Sequence, residues 1–104
     1  MTETWKTHPT FTDYEVSDAG RVRRLTRSKG TLPGYVKQPT LSTTGYLTVN
    51  IEGKPRKVHT LVLETFVSPR PHRHDGCHLD GNRTNNALSN LKWATRSENM
   101  AHAR

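Results

Sequence analysis

Residues 77–99 read Cys77-His78-Leu79-Asp80-Gly81-Asn82-Arg83-Thr84-Asn85-Asn86, then Ala87-Leu88-Ser89, then Asn90-Leu91-Lys92-Trp93-Ala94-Thr95-Arg96-Ser97-Glu98-Asn99. Cys77-His78-Leu79 is a short strand. Asp80-Gly81-Asn82 is a turn, because glycine takes positive φ and Asp and Asn bond their own backbone. Asn85-Asn86 continue a compact loop for the same reason. Asn90 to Ala94 is a second strand with Leu91 and Trp93 on one face. Thr95 as N-cap and Glu98 three residues later form a capping box, so a helix opens near Arg96. Asn99 lies on its first turns, and His102 follows three residues on, on the same face. Strand, loop, strand and helix together let His78, Asn90 and Asn99 converge. A histidine with amide side chains around one point suits a hard divalent cation and a phosphodiester.

Outward from this stretch, residues 68–76 carry Pro69, Arg70, Pro71, His72, Arg73 and His74 and read as a basic loop. Before it, Leu61, Val62, Leu63, Thr65 and Phe66 fall at helical spacing, which predicts a helix over 59–67 ended by Pro69. His59 opens that helix, and a structural tether to the preceding hairpin is its expected role. Leu47, Val49 and Ile51 alternate with Tyr46, Thr48 and Asn50 as in a strand. Glu52-Gly53-Lys54 turns it, and Arg56-Lys57-Val58 returns. Residues 26–40 hold Gly30, Pro33, Gly34 and Pro39 and read as a loop. Tyr14 to Ser17, the Asp18-Ala19-Gly20 turn and Arg21 to Leu25 form another hairpin, with Val22 facing one way and Arg21 and Arg23 the other. Residues 1–10 show little periodicity and are expected to be loose, with Trp5 packing onto the body.

The whole is 104 residues, enough for one small domain. A formal net charge of +7, from 16 Lys and Arg against 9 Asp and Glu, is the electrostatic footprint of a nucleic-acid binder. One cysteine excludes an internal disulfide framework and suits a reducing compartment. No apolar run is long enough to span a bilayer, and the first residues lack a signal-peptide pattern. No membrane role is expected, and the cations are not gathered on one amphipathic helix.

The run from Val58-His59 through Cys77-His78-Leu79-Asp80-Gly81-Asn82, Asn85-Asn86, Asn90-Leu91 and Glu98-Asn99 resembles the HNH homing-endonuclease family with its ββα-metal fold. Tyr14-Glu15-Val16-Ser17 followed by Gly20-Arg21-Val22-Arg23 resembles the small nuclease-associated module that precedes the motif in many phage-encoded members. The resemblance implies an α+β fold, small antiparallel β hairpins followed by a helix and a ββα-metal unit. It divides the chain into an N-terminal β module over 1–57 and an HNH unit over 58–104, joined in one body. It implies a metal-dependent endonuclease that nicks or cuts double-stranded DNA in the cytoplasm of a phage-infected bacterial host.

By the same resemblance His78 is the general base, Asn90 orients it through its backbone or side chain, and Cys77 and Asn99 ligand the metal, with His102 as a weaker alternative. Mg²⁺ is the first choice, since it needs few protein ligands. Cys77 stands where a carboxylate or amide is usual, and its thiolate would suit a softer ion, so Mn²⁺ or a transition metal is the alternative. The cations expected on DNA are Arg21, Arg23, Arg24, Arg27, Lys29, Lys37, Arg70, Arg73, Arg83, Lys92 and Arg96. Target specificity is expected to be low, or supplied by a homodimer or a specificity-giving partner. The competing reading is a catalytically weak or inactive DNA-binding module of the same fold. A zinc module built on His72, His74, Cys77 and His78 is disfavoured, because closed zinc sites use paired cysteines.

Overall fold

Pairing with a neighbour, more than intrinsic propensity, creates the first element of the chain. In the computed structural model, which describes residues 3–25 and 35–98, β1 (Trp5–Thr7) lies antiparallel to β2 (Tyr14–Ser17), with Trp5 opposite Ser17. This stretch was expected to be loose. Lys6 and Thr7 are exposed and offer no apolar alternation, so only the ladder to β2 defines the strand. β3 (Val22–Arg24) completes the sheet in the order β1-β2-β3. The expected hairpin is present, with Val16 and Val22 buried and Gly20 at φ 87° in the turn.

A second sheet has the order β4 (Thr40–Leu41), β5 (Leu47–Ile51), β6 (Lys54–Lys57). Glu52 and Gly53, both at positive φ, make its tight turn. β6 runs directly into α1 (Val58–Phe66). The helical stripe buries Val58, Leu61, Val62 and Leu63 against Val16, Val22, Val49, Ile51 and Leu91 from the strands. Truncating a fully buried leucine here would cost about 2–5 kcal/mol.

The third sheet is the hairpin that carries the site. β7 (His74–His78) pairs antiparallel with β8 (Leu91–Thr95), with His78 opposite Leu91 and Cys77 opposite Lys92. β7 therefore begins at His74, inside the stretch read as a loop. Histidine, aspartate and glycine carry no strand signal, and pairing with 93–95 supplies the order. The capping box forms as expected: Thr95 N–H donates to Glu98 Oε1 at 2.8 Å, and Glu98 N–H to Thr95 Oγ1 at 3.2 Å. Asn99 and His102, like Arg27 and Lys29, lie outside the described residues.

Polar ties join the first sheet to α1 and to the loop before β8. Buried His8 accepts the Thr10 and Phe11 N–H groups on Nδ1, both at 3.0 Å, so its Nε2–H donates to Glu64 of α1 at 2.8 Å. Leu88 N–H donates to the Asp18 carbonyl at 2.8 Å. Among the described residues, no helix is long and apolar enough to cross a membrane.

Candidate active site

His78 ends β7 and is only 7% exposed. Its Nε2 lies 2.8 Å from Asn86 Oδ1, an acceptor. Nε2 therefore carries a hydrogen, and in the neutral ring Nδ1 keeps the free lone pair. The sequence reading treated Asn86 as a loop residue bonding its own backbone. The structure turns its side chain inward, 5% exposed, onto the histidine. His59 contributes a second ring, 4.6 Å from that of His78 between centroids. Tyr46 stacks on His59 at 5.2 Å and reaches His78 at 6.0 Å. Gly76 makes room for this cluster, since a Cβ there would come within 2.4 Å of His59 Cδ2. Burial, with the neighbouring His78 and Lys57 adding to it, lowers the His59 pKa to about 3. His59 thus stays neutral at physiological pH.

The loop after His78 is organised by Asp80. Its carboxylate accepts from Asn85 Nδ2 at 2.9 Å, Asn82 N–H at 2.8 Å and Asn90 Nδ2 at 2.9 Å. Those bonds, that from Asn85 foremost, lower its pKa to about 2. Asn90 also donates to the Asn85 carbonyl at 2.9 Å, and its Oδ1 accepts from Asp80 N–H at 3.0 Å. The Asn90 carbonyl accepts from Leu79 N–H, next to His78, at 2.7 Å. Asn90 thus holds the segment that follows His78, and the side chain on the ring itself is Asn86.

Two family models divide the sequence between them. The NUMOD4 motif matches residues 3–52, and the HNH endonuclease model matches residues 56–101, the part that holds His59, Asn86 and His78. This chain belongs to the HNH endonuclease family. Two uncharacterized HNH endonucleases of Acanthamoeba polyphaga mimivirus are each 32% identical to it, over 97% and 86% of its length. The chain spans only 26% and 27% of those relatives. A structure solved for DNA binding and cleavage by the HNH homing endonuclease I-HmuI matches with a TM-score of 0.74 and 28% identity. That match covers 94% of this chain and 56% of the other.

Among the described residues, two groups of cations contrast. Arg21 is held by Glu3, through Nε to Oε2 at 2.9 Å and a second short bond, and lies over Trp5. The Arg21 bond is the main reason that the Glu3 pKa falls to about 2. Arg23 pairs with Glu15 at 2.6 Å and stacks on Trp5 at 4.1 Å. Arg24 donates to Tyr14 Oη at 3.0 Å, and Lys37 sits over the Tyr14 ring. These side chains knit the first sheet. By contrast, a cleft of about 950 Å³ at His59 and His78 is lined by Lys57, Arg70 and Arg83. Lys57 and Arg83 lie 4.4 and 4.9 Å from the Tyr46 ring, and among the described residues neither pairs with a carboxylate. Arg83 also donates to the Thr44 carbonyl at 2.6 Å. Lys57 was not among the expected DNA contacts. Arg70 shares its charge with Asp75 at 3.4 Å, Arg73 donates to His72, and Lys92 and Arg96 are exposed.

HNH nucleases generally use a divalent metal, and the positions implied for it here are Cys77 and Asn99. Cys77 is buried, and burial pushes its thiol pKa up. A protonated thiol is a poor donor to a hard ion. Among the described residues, no three His, Cys, Asp or Glu side chains gather as a metal site. Of the two implied donors the structure describes only Cys77, and its protonated thiol does not suit Mg²⁺.

Proposed function

We propose that this chain is the nuclease portion of a DNA endonuclease that hydrolyses phosphodiester bonds of double-stranded DNA, with His78 as general base. The observation that carries this reading is the His78–Asn86 bond, which in the neutral ring leaves the lone pair on Nδ1, in a residue lining a cleft with Lys57, Arg70 and Arg83 as well as Asp75 and Asp80. In the reaction, Nδ1 takes a proton from water, the resulting hydroxide attacks phosphorus, and the 3′ oxygen leaves with the bonding pair and takes a proton from solvent to become the 3′ hydroxyl. A neutral imidazole is a competent base at neutral pH. Lys57 and Arg83 hold flanking phosphates, and the neutral His59 packs the base ring without adding charge. Asn90 fixes the loop that leaves the base.

The divalent ion is proposed as part of the same reading, with Asn99 and Cys77 as the chain's donors. Mn²⁺ or another softer ion suits Cys77 better than Mg²⁺ does. A partner or a second copy, as in the sequence reading, would supply target choice. The buried thiol at a metal position favours one alternative, a DNA-binding module of the same fold without catalysis.

The test is conversion of supercoiled plasmid by purified protein with Mg²⁺, Mn²⁺ or EDTA. Nicking that needs an added ion and stops in EDTA is expected, with Mn²⁺ ahead of Mg²⁺. Salt-sensitive binding without cleavage under any ion would favour the binding module.

A further inference from the structure

The residue that sets the His78 tautomer has its own support, and that support comes from the first sheet. Asn86 presents Oδ1 to His78 Nε2 at 2.8 Å. On its other side stands Gly20, at φ 87°, in the turn between β2 and β3. A Cβ on Gly20 would lie 2.7 Å from the Asn86 carbonyl oxygen and 2.8 Å from the Asn86 Cβ. The turn is shaped by buried Ser17, whose Oγ accepts from Ala19 N–H at 3.2 Å and Arg21 N–H at 3.1 Å. Its Asp18 carbonyl accepts from Leu88 N–H at 2.8 Å, two residues past Asn86. The turn therefore packs against the Asn86 backbone and Cβ and bonds the chain two residues beyond it.

We propose that the turn over residues 17–20 is a positioning element for His78, acting through Asn86. This rests on the reading of His78 as the base. The first module then does more than add surface for DNA: it holds the acceptor that keeps hydrogen on Nε2 and the lone pair on Nδ1. Gly20 and Asn86 are positioning residues, and neither needs to touch the substrate. Glycine at position 20 serves both the left-handed backbone and the close approach of Asn86.

Long-range ¹⁵N NMR of the His78 ring, in the full chain near neutral pH, reads the tautomer directly. The wild type is expected to show one Nε2–H form. Asn86→Leu removes the acceptor and is expected to mix the two forms, with a loss of cleavage of about 100-fold and DNA binding in EDTA within about twofold. Asn86→Asp keeps an acceptor and is expected to keep the tautomer.

Gly20→Ala should shift the His78 signals and slow cleavage. Gly53→Ala is its control, since Gly53 also has positive φ (79°) but nothing within 4 Å of an added Cβ. Gly53→Ala should leave His78 unchanged. Where Gly20→Ala does not fold, Ser17→Ala loosens the same turn and should bring in the second tautomer. A wild-type Nδ1–H form would overturn the proposal. So would a folded Gly20→Ala or, in its place, Ser17→Ala, with wild-type His78 signals. A fixed Nε2–H form in a protein that cuts no DNA would sink the nuclease reading and leave this one standing.

Discussion

Two basic regions of this molecule use the same side chains to opposite ends. In the first sheet, Arg21 and Arg23 are paired with Glu3 and Glu15 and laid on Trp5. At the cleft, Lys57 and Arg83 approach Tyr46 but meet no carboxylate among the described residues. The net charge of +7 counts both regions alike. A phosphate does not, because a guanidinium already bonded to a carboxylate has little left to release counterions with. Charge that is neutralised internally serves stability, and charge left open beside the histidines is what the proposed function assigns to phosphate binding.

The largest expected effect separates the two regions by salt. Lys57→Ala with Arg83→Ala should lower the slope of log affinity against log salt by about 2, and weaken duplex binding at low salt by more than about 10-fold. Arg21→Ala with Arg23→Ala should change the slope by less than about 1. Fluorescence anisotropy in EDTA measures both, and equal slopes would break the comparison.

Acid should separate them next. The folded-state pKa of His59 is about 3, below the ordinary histidine value of 6.5. The unfolded chain therefore binds the proton first, so stability falls as pH drops from about 6.5 toward 3, by at most about 1.4 kcal/mol per pH unit. Glu3 is also lowered, to about 2 from 4.5, but a depressed carboxylate stabilises above its unfolded pKa and loses that only below it. Between pH 6 and 5 the cleft should weaken while the Glu3–Arg21 pair persists. Urea midpoints at several pH values test this, and His59→Phe should flatten the curve in that range.

The smallest effect is on the stability of the first sheet. Arg23→Ala loses a partly buried ion pair and a cation–π contact, about 1 kcal/mol together. The loss should appear in urea unfolding and change little in high salt, since the ring contact is sheltered.

What the sequence revealed follows the range of the forces involved. α1, β5 and the Thr95–Glu98 capping box were legible because side chains a few residues apart define them. β1, β4 and the first half of β7 were not, since Trp5–Thr7, Thr40–Leu41 and His74–Gly76 become strands only by pairing with partners elsewhere. The family pattern pointed to His78 and to the importance of Asn90. It did not reveal which asparagine meets the ring. Asn85, Asn86 and Asn90 are chemically alike, and packing against Gly20, far away in sequence, selects Asn86. His59 was read as a tether for a similar reason: Gly76 opens the space that brings it to His78, and glycine shows no such preference on paper.

The most direct test of the account is plasmid cleavage by wild type and His78→Ala, purified identically and assayed with the preferred ion. The account predicts that cleavage falls by at least about 100-fold while duplex binding in EDTA is kept. Equal cleavage by the two proteins would contradict it, because the base would then lie outside the cleft.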